Sequence, residues 1–514
     1  MPARLRNVAS LLLACLACAA AEARPALVAA ASDGDLAGVR ARLEAGEGVD
    51  VRDVDGTTPL HWAVRGDHAA VVDALLAAGA DASARDRYGV TPLELAAVNG
   101  SRGVLAALLD AGADPNTRLP NGETPLIAAA RTGEPGTVAL LLDRGADVDG
   151  RDASYSQTPL MVAAREGNAE AAGQLLARGA AIDAQTRIGP TPKFVPPCKG
   201  TGCGSEGVGI NRGGLPDRGR RAAARGGMTP LLYAARDGRD EIARILIEAG
   251  ADVGRAEANG IAPLLMAVLN DHGRVARQLL AAGADPNQDD FWGRTPLWAA
   301  VEYRNLDMNN REQDSPTGNG VDRGPLLELI AALIEAGADV NARTREVPPS
   351  RRWLYSLNDV SWVDFTGQTP FLRAALSGDV EAMRLLLEHG ADPSIATFAG
   401  TTPLMAAAGI NWVVAQTYTV SPEAQLEAVE LCLALGNDVN ATNSMGLSAL
   451  LGAVNRGAND IVRHLAEQGA DLDVVDAQGR TALRWAEGVF LAAVGAERKP
   501  ETIALLEELA RARR

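Results

Sequence analysis

The tripeptide Thr-Pro-Leu recurs along this chain at a fixed distance, and that recurrence limits the fold more than any other feature. It begins at Thr58, Thr91, Thr124, Thr158, Thr229, Thr295 and Thr402, with variants beginning at Ala262, Thr369, Ser448 and Thr481. The middle residues are Pro59, Pro92, Pro125, Pro159, Pro230, Pro263, Pro296, Pro370, Pro403, Ala449 and Ala482. They are separated by steps of 33, 33, 34, 71, 33, 33, 74, 33, 46 and 33 residues. A second motif, Gly-Ala-Asp, follows in register at Gly79, Gly112, Gly145, Gly250, Gly283 and Gly390. Such a period means many copies of one supersecondary unit, each stabilised by the next. A chain of 514 residues would otherwise suggest about three globular domains. The period replaces that expectation with one stack of twelve units.

Each motif residue has a physical task. The Thr hydroxyl caps a helix N-terminus, and Pro at the first helical position gives up no needed N–H. Leu60, Ala63, Val71, Leu75 and Leu76 fall at helical spacing on two short helices. Gly79 suits the left-handed residue that ends the second helix. Asp53-Val54-Asp55-Gly56 is turn chemistry for a finger that projects before the next unit. Aromatics make up only 4% of the chain, so the core is built mostly of Ala, Leu and Val.

This pattern resembles ankyrin repeats over roughly four-fifths of the chain that remains after the leader described below. The resemblance implies an all-α solenoid of about twelve helix-turn-helix units with β-turn or hairpin fingers. It also implies recognition of a protein partner through the fingers and the concave helix face. Residues 25–52 read as a first, atypical repeat and 478–514 as the last.

The N-terminus reads as an export signal. Arg4 and Arg6 precede an apolar run, Val8 to Ala20, and both Ala19-Ala20-Ala21 and Ala21-Glu22-Ala23 fit signal-peptidase cleavage. The run is shorter than the ~18–20 residues of a membrane span, and no later segment is a span candidate. Leu12-Leu13-Ala14-Cys15 also loosely matches a bacterial lipoprotein box, so a lipid anchor at Cys15 is the minor alternative. The Arg-rich basic content suits a GC-rich genome. Together these point to an exported bacterial protein, periplasmic or secreted, with residues 1–23 as the leader. Its loss takes the net charge from −16 to −17.

Four insertions break the period. They divide the chain into repeats 1–5 over 24–187, a Gly/Pro/Arg-rich insertion over 188–225, and repeats 6 to the start of 8 over 226–302. An insertion at 303–324, the second helix of repeat 8 at 325–343 and a finger insertion at 344–366 follow. Repeats 9–12 occupy 367–514, with an insertion at 409–422. Twelve of the 19 aromatics lie between Phe291 and Tyr418. Phe291, Trp292, Trp353, Tyr355, Trp362, Phe365 and Phe398 fall on three consecutive fingers, where exposed aromatics mark binding surfaces. The competing reading is a local mini-core, in which Arg351-Arg352-Trp353 folds back onto the stack. Trp298 and Trp412 face either the concave groove or the packing.

Catalytic chemistry is not visible. His61, His68, His272, His389 and His464 have no metal-ligand spacing, and Gly202-Cys203-Gly204-Ser205-Glu206-Gly207 follows no strand pattern. No nucleophile elbow, phosphate loop or cofactor motif occurs. Cys198 and Cys203 suit a disulfide in an exported loop, against free thiols or a metal clip with too few ligands. Cys432 reads as a buried apolar filler. The negative charge argues against nucleic acid and favours a basic or neutral protein partner. The expected function is a non-enzymatic binding scaffold contacting its partner through repeats 7–10, with no cofactor and no metal. The alternative is an enzyme or redox-linked accessory whose site is built by the insertions.

Overall fold

The computed structural model describes residues 24–189, 225–305, 323–345, 366–411, 419–489 and 497–513. Among them, 24 helices follow one another in twelve pairs. The first five pairs are Ala26–Ser32 with Leu36–Glu44, Pro59–Arg65 with Ala69–Ala77, Pro92–Asn99 with Arg102–Asp110, Pro125–Thr132 with Pro135–Asp143, and Pro159–Glu166 with Ala169–Ala177. Pro230–Asp237 with Asp240–Glu248, Pro263–Leu269 with Gly273–Ala281, and Pro296–Arg304 with Arg323–Glu335 come next. The last four are Pro370–Ser377 with Val380–Glu388, Pro403–Ala408 with Pro422–Ala434, Ala449–Arg456 with Asn459–Glu467, and Ala482–Ala486 with Pro500–Ala512. No strand occurs among the described residues; one bridge pairs Val475 with Thr481. The all-α repeat architecture is therefore the one the period predicts. The last repeat adds a feature the period does not reveal. Glu487 to Lys499 separates its two helices, and no following Thr-Pro-Leu exists to expose that length.

The helix starts follow from the Thr-Pro pair. Backbone N–H groups of Ile127, Leu232, Trp298 and Leu372 donate to the hydroxyls of Thr124, Thr229, Thr295 and Thr369 at 3.1–3.3 Å. Thr58 with His61 and Thr91 with Glu94 close the reciprocal form, in which the third helical side chain returns to the cap's own N–H. Ala262 offers no hydroxyl, and its helix starts without a side-chain cap.

First and second helices bury differently. In Pro159–Glu166 the run Leu160, Met161, Val162, Ala163 and Ala164 is wholly buried, whereas Ala169–Ala177 buries only Ala171, Ala172 and Leu175. The first helix is packed between neighbouring repeats and its own partner; the second keeps one face in water. Polar side chains in the turn between the helices fasten one repeat to the preceding one. His68 reaches the Ser32 carbonyl at 3.2 Å, Asn168 the Ala130 carbonyl at 2.8 Å and His272 the Arg236 carbonyl at 3.0 Å. These are the carbonyls that a helix C-terminus leaves open.

The described residues fall into two compact units. One is drawn from Met1–Arg187, Gly226–Ala234 and Arg239–Ala251, the other from Ile188–Arg225, Ala235–Gly238 and Asp252–Arg514. The second contains a buried ionic cluster. Asp379 accepts from Arg304 Nε at 2.8 Å and Asn305 Nδ2 at 3.0 Å, and pairs with Arg323 at 2.8 Å. Arg304 also pairs with Glu381 at 2.6 Å, and Arg373 donates to the Asn305 carbonyl at 3.1 Å. Burial alone would raise the Asp379 carboxyl. The hydrogen bonds from Arg304 and Asn305 and the charges of Arg304 and Arg323 hold it below its ordinary value instead. Asp379→Ala takes the buried carboxylate from Arg323 and leaves Arg304 only the exposed Glu381. We expect it to cost about 3–5 kcal/mol in the urea unfolding of repeats 8 and 9, against ~1 kcal/mol or less for Arg384→Ala on the exposed face. Equal unfolding midpoints for the two variants would show that the cluster is not a keystone.

Candidate partner-binding surface

Most fingers are tight turns organised by their first side chain; in the one that begins at Leu119, Asn121 Oδ1 accepts the Glu123 N–H instead. Asp53 Oδ1 accepts the N–H of Asp55 at 2.9 Å and of Thr57 at 3.0 Å. Asp86 does the same for Tyr88 and Val90, both at 2.8 Å, and Asp290 for Trp292 and Arg294 at 2.9 and 3.0 Å. The residue that closes these turns has positive φ, a glycine at Gly56 and Gly293 with +77° each and a serine at Ser156 with +59°. Fingers are joined through their backbones. The N–H of Arg87 donates to the Asp55 carbonyl at 2.9 Å, Arg345 to Trp292 at 2.8 Å, Phe398 to Thr366 at 3.1 Å and Ser444 to Ala399 at 2.8 Å. Turn carboxylates and backbone amides therefore carry the finger structure, and the side chains at the tips are left to face solvent.

Phe291 and Phe398 occupy such tips and are 39% and 52% exposed. They lie two fingers apart, and Arg345 and Thr366, which flank residues 346–365, stand on the finger between them. Phe398 carries the Arg343 guanidinium on one face at 4.4 Å. Trp292 corrects the expectation of an exposed contact residue, because its ring is buried. Phe291 meets it edge-on at 5.6 Å and the Arg294 guanidinium covers it at 5.2 Å. Arg294 is itself buried and paired with Asp290 at 2.7 Å. Trp292 therefore works as local core under Phe291. Trp298 is also fully buried, and its indole N–H has no partner among the described residues. Trp353, Tyr355, Trp362, Phe365 and Trp412 lie outside the described residues, as do Cys198, Cys203, Cys15 and the whole leader.

Sequence reasoning passed over exposed tips in the first unit. Val54, Tyr88 and Tyr155 stand on its fingers at 70%, 63% and 68% exposure. Aromatic density hides them, since they are spaced a repeat or more apart. The usable signal is an apolar residue inside the turn motif, where folding has no work for it. The described residues contain no group of three or more His, Cys, Asp or Glu side chains able to hold a metal ion. Cys432 is buried and its thiol is pushed up to about 12, which suits the apolar filler expected there.

The family models agree with this architecture. Ankyrin-repeat models match residues 26–119, 112–186 and 418–489 (Ankyrin repeats, 3 copies), 231–280 (Ankyrin repeats, many copies) and 366–395 (Ankyrin repeat), together more than half of the chain. The chain belongs to the ankyrin-repeat family. Among solved structures it is similar to the human ASB11 ankyrin repeat domain, at 25% identity. That match covers 51% of this chain and 100% of the other, with a TM-score of 0.40.

Glu94 gives the first unit a pH dependence. Its Oε2 accepts the Thr91 N–H at 3.0 Å, while Oε1 has no partner among the described residues. Burial pushes its carboxyl up to about 7. A carboxyl raised on folding contributes stability below its unfolded value and loses it as pH rises through the folded one. Denaturant unfolding of the wild type should therefore weaken between pH 5.5 and 8.5 by up to about 2 kcal/mol relative to Glu94→Gln, which keeps the cap without the charge. Parallel pH profiles for the two proteins would refute this.

Proposed function

We propose that this protein is an exported, non-enzymatic scaffold whose second unit grips a protein partner through the fingers of repeats 7–10. The carrying observation is the pair of exposed aromatic tips, Phe291 and Phe398, on either side of the finger that carries residues 346–365. The ankyrin-repeat fold supports the scaffold part, since turn carboxylates and backbone amides hold its fingers and leave Phe291 and Phe398 partly in water. The leader-like residues 1–23 support export to the periplasm or beyond, and in that compartment Cys198 and Cys203 form a disulfide. Trp353, Tyr355, Trp362 and Phe365 extend the contact from the insertion. A chain of net charge −16 selects a basic or neutral partner there.

The test is affinity capture from the exported fraction with the processed chain as bait. Phe291→Asp with Phe398→Asp should abolish capture of the principal partner and shift thermal stability by less than about 1 kcal/mol, because both rings are partly in water. Removing 346–365 should do the same. Retained capture by both variants places the contact elsewhere and refutes the assignment.

A further inference from the structure

The last repeat of the second unit leaves exposed what the other repeats cover. The third motif residue, from Leu60 through Leu450, is at most 1% exposed in all ten earlier copies, whereas Leu483 is 40% exposed. Leu27 holds the matching place in the first repeat and is fully buried there. Cover at this position therefore comes from the repeat that follows, and none follows Leu483 among the described residues. Thr481 is exposed with it, although its counterparts Thr58 and Thr158 are fully buried. Val475, bridged to Thr481, is 50% exposed. The finger at this end is open as well. The carbonyls of Asp55, Trp292, Ala399 and Met445 each accept an N–H from the next finger at 2.8–2.9 Å, and their counterpart in the last finger, Gln478, accepts none among the described residues.

The first repeat is finished differently. Leu75, Leu108, Leu175 and Leu465 stand at the seventh position of their second helices and are fully buried. In Leu36–Glu44 that position is Arg42, whose side chain is half exposed and pairs with Glu47 at 3.9 Å. A polar outer face is what keeps a terminal repeat from stacking further. The first repeat has such a residue in place of the motif Leu, and the last repeat keeps its Leu.

We infer that the end face of the last repeat is a docking surface for a second copy of this chain, packed face to face about a two-fold axis. The contact continues the packing that joins one repeat to the next within the chain. A two-fold contact needs a surface that complements itself. Arg484 and Glu487, 3.2 Å apart on the exposed side of the last first-helix, supply one charge of each sign beside Leu483. The axis sets Arg484 of each copy against Glu487 of the other, with Leu483 and Val475 between them. Arg42 closes the opposite end to head-to-tail stacking, so assembly stops at two. Two half-exposed apolar side chains per copy bury little area, which places the association in the micromolar range. None of the residues assigned to the protein partner takes part, so this inference stands apart from that reading.

Sedimentation velocity of the full chain from about 1 to 200 µM should show a concentration-dependent shift from monomer to dimer. Val475→Glu with Leu483→Glu, both at exposed positions, should raise the dissociation constant at least about tenfold and leave the thermal midpoint of the dilute monomer unchanged. Arg484→Glu should weaken the dimer, and adding Glu487→Arg should restore it, because the exchanged pair is again self-complementary. Phe291→Asp with Phe398→Asp should leave the dimer intact, as should Arg42→Glu. A chain that stays monomeric over the whole range overturns the inference, and so does a dimer indifferent to the Val475 and Leu483 changes. Dissociation by Arg42→Glu would mean head-to-tail stacking, and dissociation by the two Phe changes would put the contact on the fingers; either result also overturns it.

Discussion

An inner helix buried on almost every side has to be covered by its neighbours, and the rest of this protein depends on that requirement. In Pro125–Thr132 every residue from Pro125 to Ala130 is buried, and in Pro370–Ser377 the whole helix is. Helices so closely surrounded approach only if their side chains are small, so Ala fills the contact positions and aromatics are few. The exceptions take the same burial: Trp298, Phe371 and Trp485 are among the largest fully buried side chains. The first described helix departs from the motif and still buries Leu27, Val28 and Ala31. Ala26–Ser32 has neither Thr-Pro nor a side-chain cap.

Burial of this kind is non-directional and does not set the register of one repeat on the next. Hydrogen bonds at the edges do that. Asn287 Nδ2 donates to the Gly337 carbonyl at 2.9 Å while its Oδ1 accepts the Asp339 N–H, and Asn341 repeats both bonds with Gly390 and Asp392. Finger amides and finger arginines add the same kind of tie on the projecting side. Once turn carboxylates and backbone satisfy the fingers, tip residues are released from folding. Phe291, Phe398, Tyr88 and Tyr155 owe their availability to that division of labour, and recognition by this protein is built on it.

Much of this was legible without a structure. The Thr caps, the closing glycines and the twelve helix pairs follow from motifs whose chemistry is local. Two kinds of feature were not. Trp292 and Phe291 are adjacent and equally aromatic, yet one is core and the other half in water. What separates them is Arg294, folded back over one ring by its bond to Asp290. The Asp379 cluster joins residues 75 apart on either side of two insertions, beyond any window of local pattern.

The linear chain determined the repeat, its helices and its turns, because each is set by groups within a few residues of one another. The tertiary structure decided which polar and aromatic side chains are spent on cohesion and which remain in water. That choice depends on what the next repeat lays against each side chain. Arg85 reaches across to the carbonyl of Arg118, and Phe398 keeps one face free beneath Arg343, only because neighbouring fingers are brought within a side chain's length.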